Sequence, residues 1–130
     1  MKGNIPLPMK KILVVDDNVD ILQVVVLILK NHFMEVRGIS DGSEIIERIQ
    51  TFKPDLVLLD VYLNGLDGRE ICKQLKSHSE TSNIPIIMFS AQSNLEEIKK
   101  CDAQDFIAKP FEIIDLVGKI NYQLSHPSQN

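Results

Sequence analysis

The chain has 130 residues, 44% hydrophobic and 25% charged, with a formal charge of −4 and a pI near 5.3. That is enough for one domain around a single core and too little for two ordinary ones. The acidic balance offers no long-range attraction to nucleic acid or anionic lipid. The longest apolar run, Val24 to Leu29, is a fraction of a bilayer span, and the N-terminus lacks the apolar core of a secretory signal, so a cytoplasmic protein is expected.

Residues 1–9 are punctuated by Pro6 and Pro8 and read as an N-terminal arm. Strand-like and helical patterns then alternate through 10–124, and 125–130 form a polar tail. Short runs rich in Val, Ile and Leu at about 11–15, 35–39, 55–59, 84–89 and 105–108 read as strands, the most apolar of them buried on both faces. After the first run, Asn18 or Asp20 can cap a helix to about His32. Ser40-Asp41-Gly42 opens a second, with Ile45, Ile46 and Ile49 on one stripe and Pro54 in its exit loop. Asp67-Gly68 precedes a third that turns Ile71, Cys72 and Leu75 to one side. A short fourth is expected near Asn94–Lys100. A fifth, from about Glu112 to Leu124, places Ile113, Leu116, Val117 and Ile120 inward. Five such units with short links predict a doubly wound parallel α/β sheet with right-handed crossovers. Cys72, Cys101 and the three histidines have no metal-ligand or C-x-x-C spacing, so the cysteines read as reduced structural thiols.

Polar residues stand where the strands end. Asp16 and Asp17 follow the first run, Asp60 the third, Ser90 the fourth and Lys109 the fifth. In an open parallel sheet the carboxyl edge is where ligands bind, so the five are expected to meet. Three carboxylates, a hydroxyl and an ammonium suit a divalent cation and a phosphoryl group.

Five segments, Val14-Val15-Asp16-Asp17, Leu58-Leu59-Asp60, Leu63 to Gly68, Phe89-Ser90-Ala91 and Ala108-Lys109-Pro110-Phe111, make residues 10–124 resemble the receiver domain of two-component response regulators. The resemblance implies a flavodoxin-like five-stranded parallel sheet of order 2-1-3-4-5 with five helices. It implies a stand-alone receiver in which Asp60 accepts a phosphoryl group from a histidine kinase or histidine phosphotransferase, then relays it or switches a binding surface for a downstream protein. Mg²⁺ would be held by Asp17 and Asp60 directly, by the main-chain carbonyl of Tyr62, and by Asp16 through water. Lys109 and Ser90 would contact the phosphoryl oxygens, and the Lys109–Pro110 peptide would be cis. No turnover beyond Mg²⁺-dependent self-phosphorylation and autodephosphorylation is implied.

Other positions are expected to tune the system. Phe106 matches the family's aromatic switch position, and Tyr62 and Gln92 flank the path of the hydrolytic water. Asn64 replaces a frequent Pro, with Gly65 and Gly68 supplying turn freedom. The segment from Ser90 to Lys109 is about three residues short of the family's, roughly one helical turn, so the family's usual dimer on that face is not expected. The first helix is apolar nearly all round. With Ile21, Leu22, Val25, Ile28 and Leu29 in the core, Val26 and Leu27 would face solvent as a partner surface. Two other classes fit less well. A phosphatase of the haloacid dehalogenase type needs a second Asp where Tyr62 stands. A degenerate receiver acting purely as a binding module would not need the complete acid, Ser and Lys set.

Overall fold

Alternation of the two patterns resolves into a parallel sheet between two helical layers. The computed structural model describes residues 8–91 and 100–126. In chain order the elements are β1 (Lys11–Val15), α1 (Val19–Asn31), β2 (Glu35–Ile39), α2 (Ile45–Phe52), β3 (Leu56–Asp60), α3 (Gly68–Ser77), β4 (Ile86–Ser90), β5 (Asp105–Ala108) and α4 (Ile113–Ser125). The strands pair in the order β2-β1-β3-β4-β5, all parallel, the expected flavodoxin-like order. Four α-helices lie among the described residues. The helix expected near Asn94–Lys100 lies outside them except for Lys100, which sits in a turn.

The period of two along each strand sorts its side chains onto two faces. Leu13, Val15, Val57, Leu59, Ile86 and Met88 pack with Ile45, Ile49 and Phe52 of α2 and with Cys72 and Leu75 of α3. The alternate residues, Ile12, Val14, Leu56, Leu58, Ile87 and Phe89, pack with Leu22, Val25 and Leu29 of α1 and Leu116 and Ile120 of α4. Cys72 and Cys101 are both buried and outside any disulfide, and the Cys72 Sγ donates to the Cys101 carbonyl at 3.2 Å.

Local chemistry sets the boundaries. Asn18 caps α1, its side-chain oxygen accepting from the amides of Asp20 and Ile21 at 3.1 and 3.2 Å. Asp67 caps α3 through the Arg69 amide at 2.9 Å. β4 starts at Ile86 rather than residue 84, because Pro85 has no amide to give to the ladder.

Two inward assignments fail. The buried stripe of α2 is Ile45, Ile49 and Phe52, and Ile46, about 100° further round, is exposed. Ile113, the first residue of α4, is also exposed, while Leu116 and Ile120 carry the packing.

Candidate functional site

Register brings the polar strand ends to one level. Val15 pairs with Leu59, so Asp16 and Asp60 each stand one residue beyond that pair. Asp60 pairs with Phe89, and Ser90, the next residue, pairs with Ala108 just before Lys109. The amide of Asp16 donates to Ile39 O at 3.2 Å, extending the β1–β2 ladder, and that of Lys109 donates to Ser90 O at 2.8 Å.

Asp16 is fully buried, and Asp60 and Ser90 nearly so. Asp16 Oδ1 accepts from the Asn18 amide at 2.9 Å. The Lys109 ammonium donates to Asp16 Oδ2 at 2.8 Å and to Asp60 Oδ2 at 3.1 Å. Asp17 is half-buried, and carboxylate oxygens of Asp16, Asp17 and Asp60 lie within 4.8 Å of one another. Burial first, and the Asp16 charge second, push the Asp60 carboxyl up to about 6, against the pull of Lys109. Three carboxylates against one ammonium leave an excess of two negative charges when all are ionised. An all-oxygen donor set with that excess fits a divalent cation of the Mg²⁺ type.

The loop after Asp60 is built around close backbone contacts. Tyr62–Leu63 pairs antiparallel with Leu66–Asp67 across Asn64 and Gly65, whose φ angles are +50° and +94°. Two left-handed residues make a tight hairpin turn that matches strand twist, and Asn-Gly is the pair best suited to it. Asn64 therefore serves the turn where a Pro, with φ fixed near −65°, does not fit. Gly68 does something other than supply turn freedom. Its amide donates to Val61 O at 2.7 Å, and a Cβ there would collide with the Asp60 carbonyl oxygen. Gly68 lets α3 start directly against the strand end bearing Asp60, a closeness that spacing does not reveal.

The remaining sequence-predicted residues scatter. The Lys109–Pro110 peptide is cis, as expected. The Tyr62 side chain is exposed. Phe106 is half-buried against the α2/α3 side of the core, with the Lys119 ammonium 5.3 Å from its ring centroid. Gln92 lies outside the described residues, as do residues 93–99 of the shortened segment. On α1, Leu27 is 61% exposed, but Val26 is half-buried against the core. Gly38 on β2 has no side chain, so α1 seats close to it, and a Cβ there would stand 3.0 Å from Val26 Cγ2. The exposed aliphatics of α1 are Val19, Val24 and Leu27, of which Val24 and Leu27 lie three residues apart on one face.

The model of the response regulator receiver domain matches residues 12–121. The chain belongs to this family. Among curated relatives, the DNA-binding response regulator MtrA of Mycobacterium tuberculosis is 30% identical over 118 residues, covering 88% of this chain and 50% of the relative. The receiver thus spans about half the length of the curated relatives it matches. Among solved structures, the receiver domain of NtrX from Brucella abortus superposes with a TM-score of 0.81 at 34% identity, over 88% of this chain and 98% of that one. The chemotaxis protein CheY4 of Vibrio cholerae gives 0.82 at 28% identity, over 88% and 98%. Receivers of this family are phosphorylated on an aspartate, bind Mg²⁺ in an acidic pocket, and work with histidine kinases or phosphotransferases. Among the described residues, no helix is long and apolar enough to cross a membrane.

Proposed function

We propose that this receiver accepts a phosphoryl group on Asp60 from the phosphohistidine of a histidine kinase or histidine phosphotransferase, in the cytoplasm. The observation that carries the reading is the Lys109 ammonium 2.8 Å from Asp16 and 3.1 Å from Asp60, across strands that sequence separates by up to 93 residues. Among the three acids, Asp60 ends the strand at the centre of the sheet, with Ser90 at the end of the neighbouring β4 and Lys109 just after β5, one strand further on.

In the step proposed, an Asp60 oxygen attacks phosphorus in line with the bond to the donor imidazole nitrogen. The P–N bond breaks, its electron pair returns to the imidazole, and an acyl phosphate forms. With its carboxyl at about 6, Asp60 is mostly ionised and nucleophilic at neutral pH. Lys109 exchanges its contact with Asp60 for the phosphoryl oxygens, and the Ser90 hydroxyl donates to one of them. Asp17, Asp60 and the Tyr62 carbonyl would hold Mg²⁺ directly, with Asp16 acting through water. When bound, the metal would supply positive charge to offset that of the phosphoryl oxygens. Phe106 moves inward as Ser90 engages, and Tyr62 and Gln92 set the access of hydrolytic water.

The donor reaches Asp60 beside α1. The exposed Val24 and Leu27, with a groove of about 440 Å³ between Leu22, Val26, Leu27, Lys30 and Gly38, form the surface that receives it. The output is a relay to a further histidine or a switch in protein binding, with no other substrate turned over. The test is phosphotransfer profiling against the histidine kinases and phosphotransferases of the source organism, with Asp60→Asn as control. One donor should transfer rapidly to the wild type and not to the variant. Equal labelling of both would refute the assignment.

A further inference from the structure

We infer that Phe89 is a positioning residue for Lys109, holding the ammonium over its ring so that it stands between Asp16 and Asp60. This inference rests on the phosphoacceptor reading above. Lys109 leaves the end of β5, yet its ammonium contacts acids at the ends of β1 and β3. In the order β1-β3-β4-β5 the side chain must cross the end of β4 to reach them. Neighbouring strands lie about 4.8 Å apart, so the crossing uses most of a lysine's length.

What it crosses is Phe89. The Lys109 Nζ lies 4.5 Å from the centroid of that ring. Phe89 is fully buried, pairs in register with Asp60, and is braced by Phe111 at 5.4 Å between centroids and 57° between planes. The face of an aromatic ring carries negative charge density, and its attraction for an ammonium grows as water is excluded. The Lys109 side chain is only 13% exposed. An aliphatic residue at 89 would fill the same volume and give no such attraction. Phe89 thus holds the cation over its ring while the two carboxylates pair with it, and the Asp60 contact is the one exchanged when a phosphoryl group arrives.

The test separates charge from shape. Phe89 is replaced in the full chain by phenylalanines carrying one, three and five ring fluorines, which drain the face of negative charge with little change in size. The rate constant for phosphorylation by acetyl phosphate with Mg²⁺ should fall stepwise, by roughly threefold to tenfold across the series, while melting temperatures hold. The same series at Phe111, which braces the ring, should be nearly flat. A flat series at Phe89, or equal slopes at both positions, would overturn the inference. A second readout needs no phosphorylation. The Lys109 ε-methylene resonance should lie upfield of the other lysines through the ring current of Phe89, and should return among them in Phe89→Leu. No upfield shift would overturn the positioning claim. If the wild type accepts no phosphate, the phosphoacceptor reading fails, and the Lys109 resonance then decides the positioning claim by itself.

Discussion

Replacing Asp60 by asparagine should stabilise the fold at neutral pH when no divalent cation is present. Asp60 is 5% exposed, beside the buried Asp16, and its carboxyl is raised from 3.8 to about 6. A carboxyl raised on folding binds its proton more tightly in the native state. The stability it contributes is therefore full below about pH 3.8 and is lost as pH rises through about 6. At about 1.4 kcal/mol per pH unit, ionising Asp60 at pH 7 costs about 3 kcal/mol. The asparagine side chain keeps the shape and removes the charge, so the variant should exceed wild type by up to about 3 kcal/mol at pH 7. That corresponds to about 10 °C in Tm for a domain of this size. The chain has no Trp, so urea unfolding is followed by far-UV circular dichroism in EDTA at pH 4 and pH 7. The difference between the two proteins should be near zero at pH 4 and largest at pH 7. A wild type as stable as Asp60→Asn at pH 7 would refute the reasoning, because pairing with Lys109 would then outweigh burial beside Asp16.

Three further outcomes follow from the same geometry. Mg²⁺ at ten times its Kd should stabilise wild type by about 1.4 kcal/mol, and Asp17→Asn should lose most of that gain; equal gains by thermal melting would place the metal elsewhere. Gly68→Ala should destabilise the fold by roughly 1–3 kcal/mol despite alanine's better helix propensity, since its Cβ would collide with the Asp60 carbonyl oxygen, and urea unfolding checks it. Val24→Lys combined with Leu27→Glu should leave acetyl-phosphate labelling unchanged and slow transfer from the cognate histidine protein, because burying both aliphatics contributes on the order of 2–4 kcal/mol before ordering costs. Unchanged transfer from the cognate donor would remove α1 from the docking surface.

The sheet was legible because its signal is local and redundant. Val14 and Val15, Leu58 and Leu59, and Ile86 to Phe89 are apolar at successive positions, a pattern that suits strands covered on both faces, and all five strands fall within two residues of their expected bounds. Asp16, Asp17, Asp60, Ser90 and Lys109 were legible because parallel topology sends every strand end to the same edge. Helix faces were less so. α1 has aliphatics at Ile21, Leu22, Val24 to Leu29, so periodicity alone does not say which of Val24 and Val26 faces out. The choice is made by Gly38 on β2, a long-range contact that draws Val26 inward. Gly68 and Phe89 were missed as site-building residues for a related reason. A glycine needed for close approach and a phenylalanine beneath a lysine both look, in sequence, like an ordinary turn residue and an ordinary core residue.

The central claim is that Asp60 takes the phosphoryl group, and intact-mass analysis after acetyl phosphate and Mg²⁺ tests it most directly. The account predicts a single added phosphate on wild type, removed by hydroxylamine as an acyl phosphate must be, and none on Asp60→Asn. A phosphate retained by Asp60→Asn, or one resistant to hydroxylamine, would contradict it.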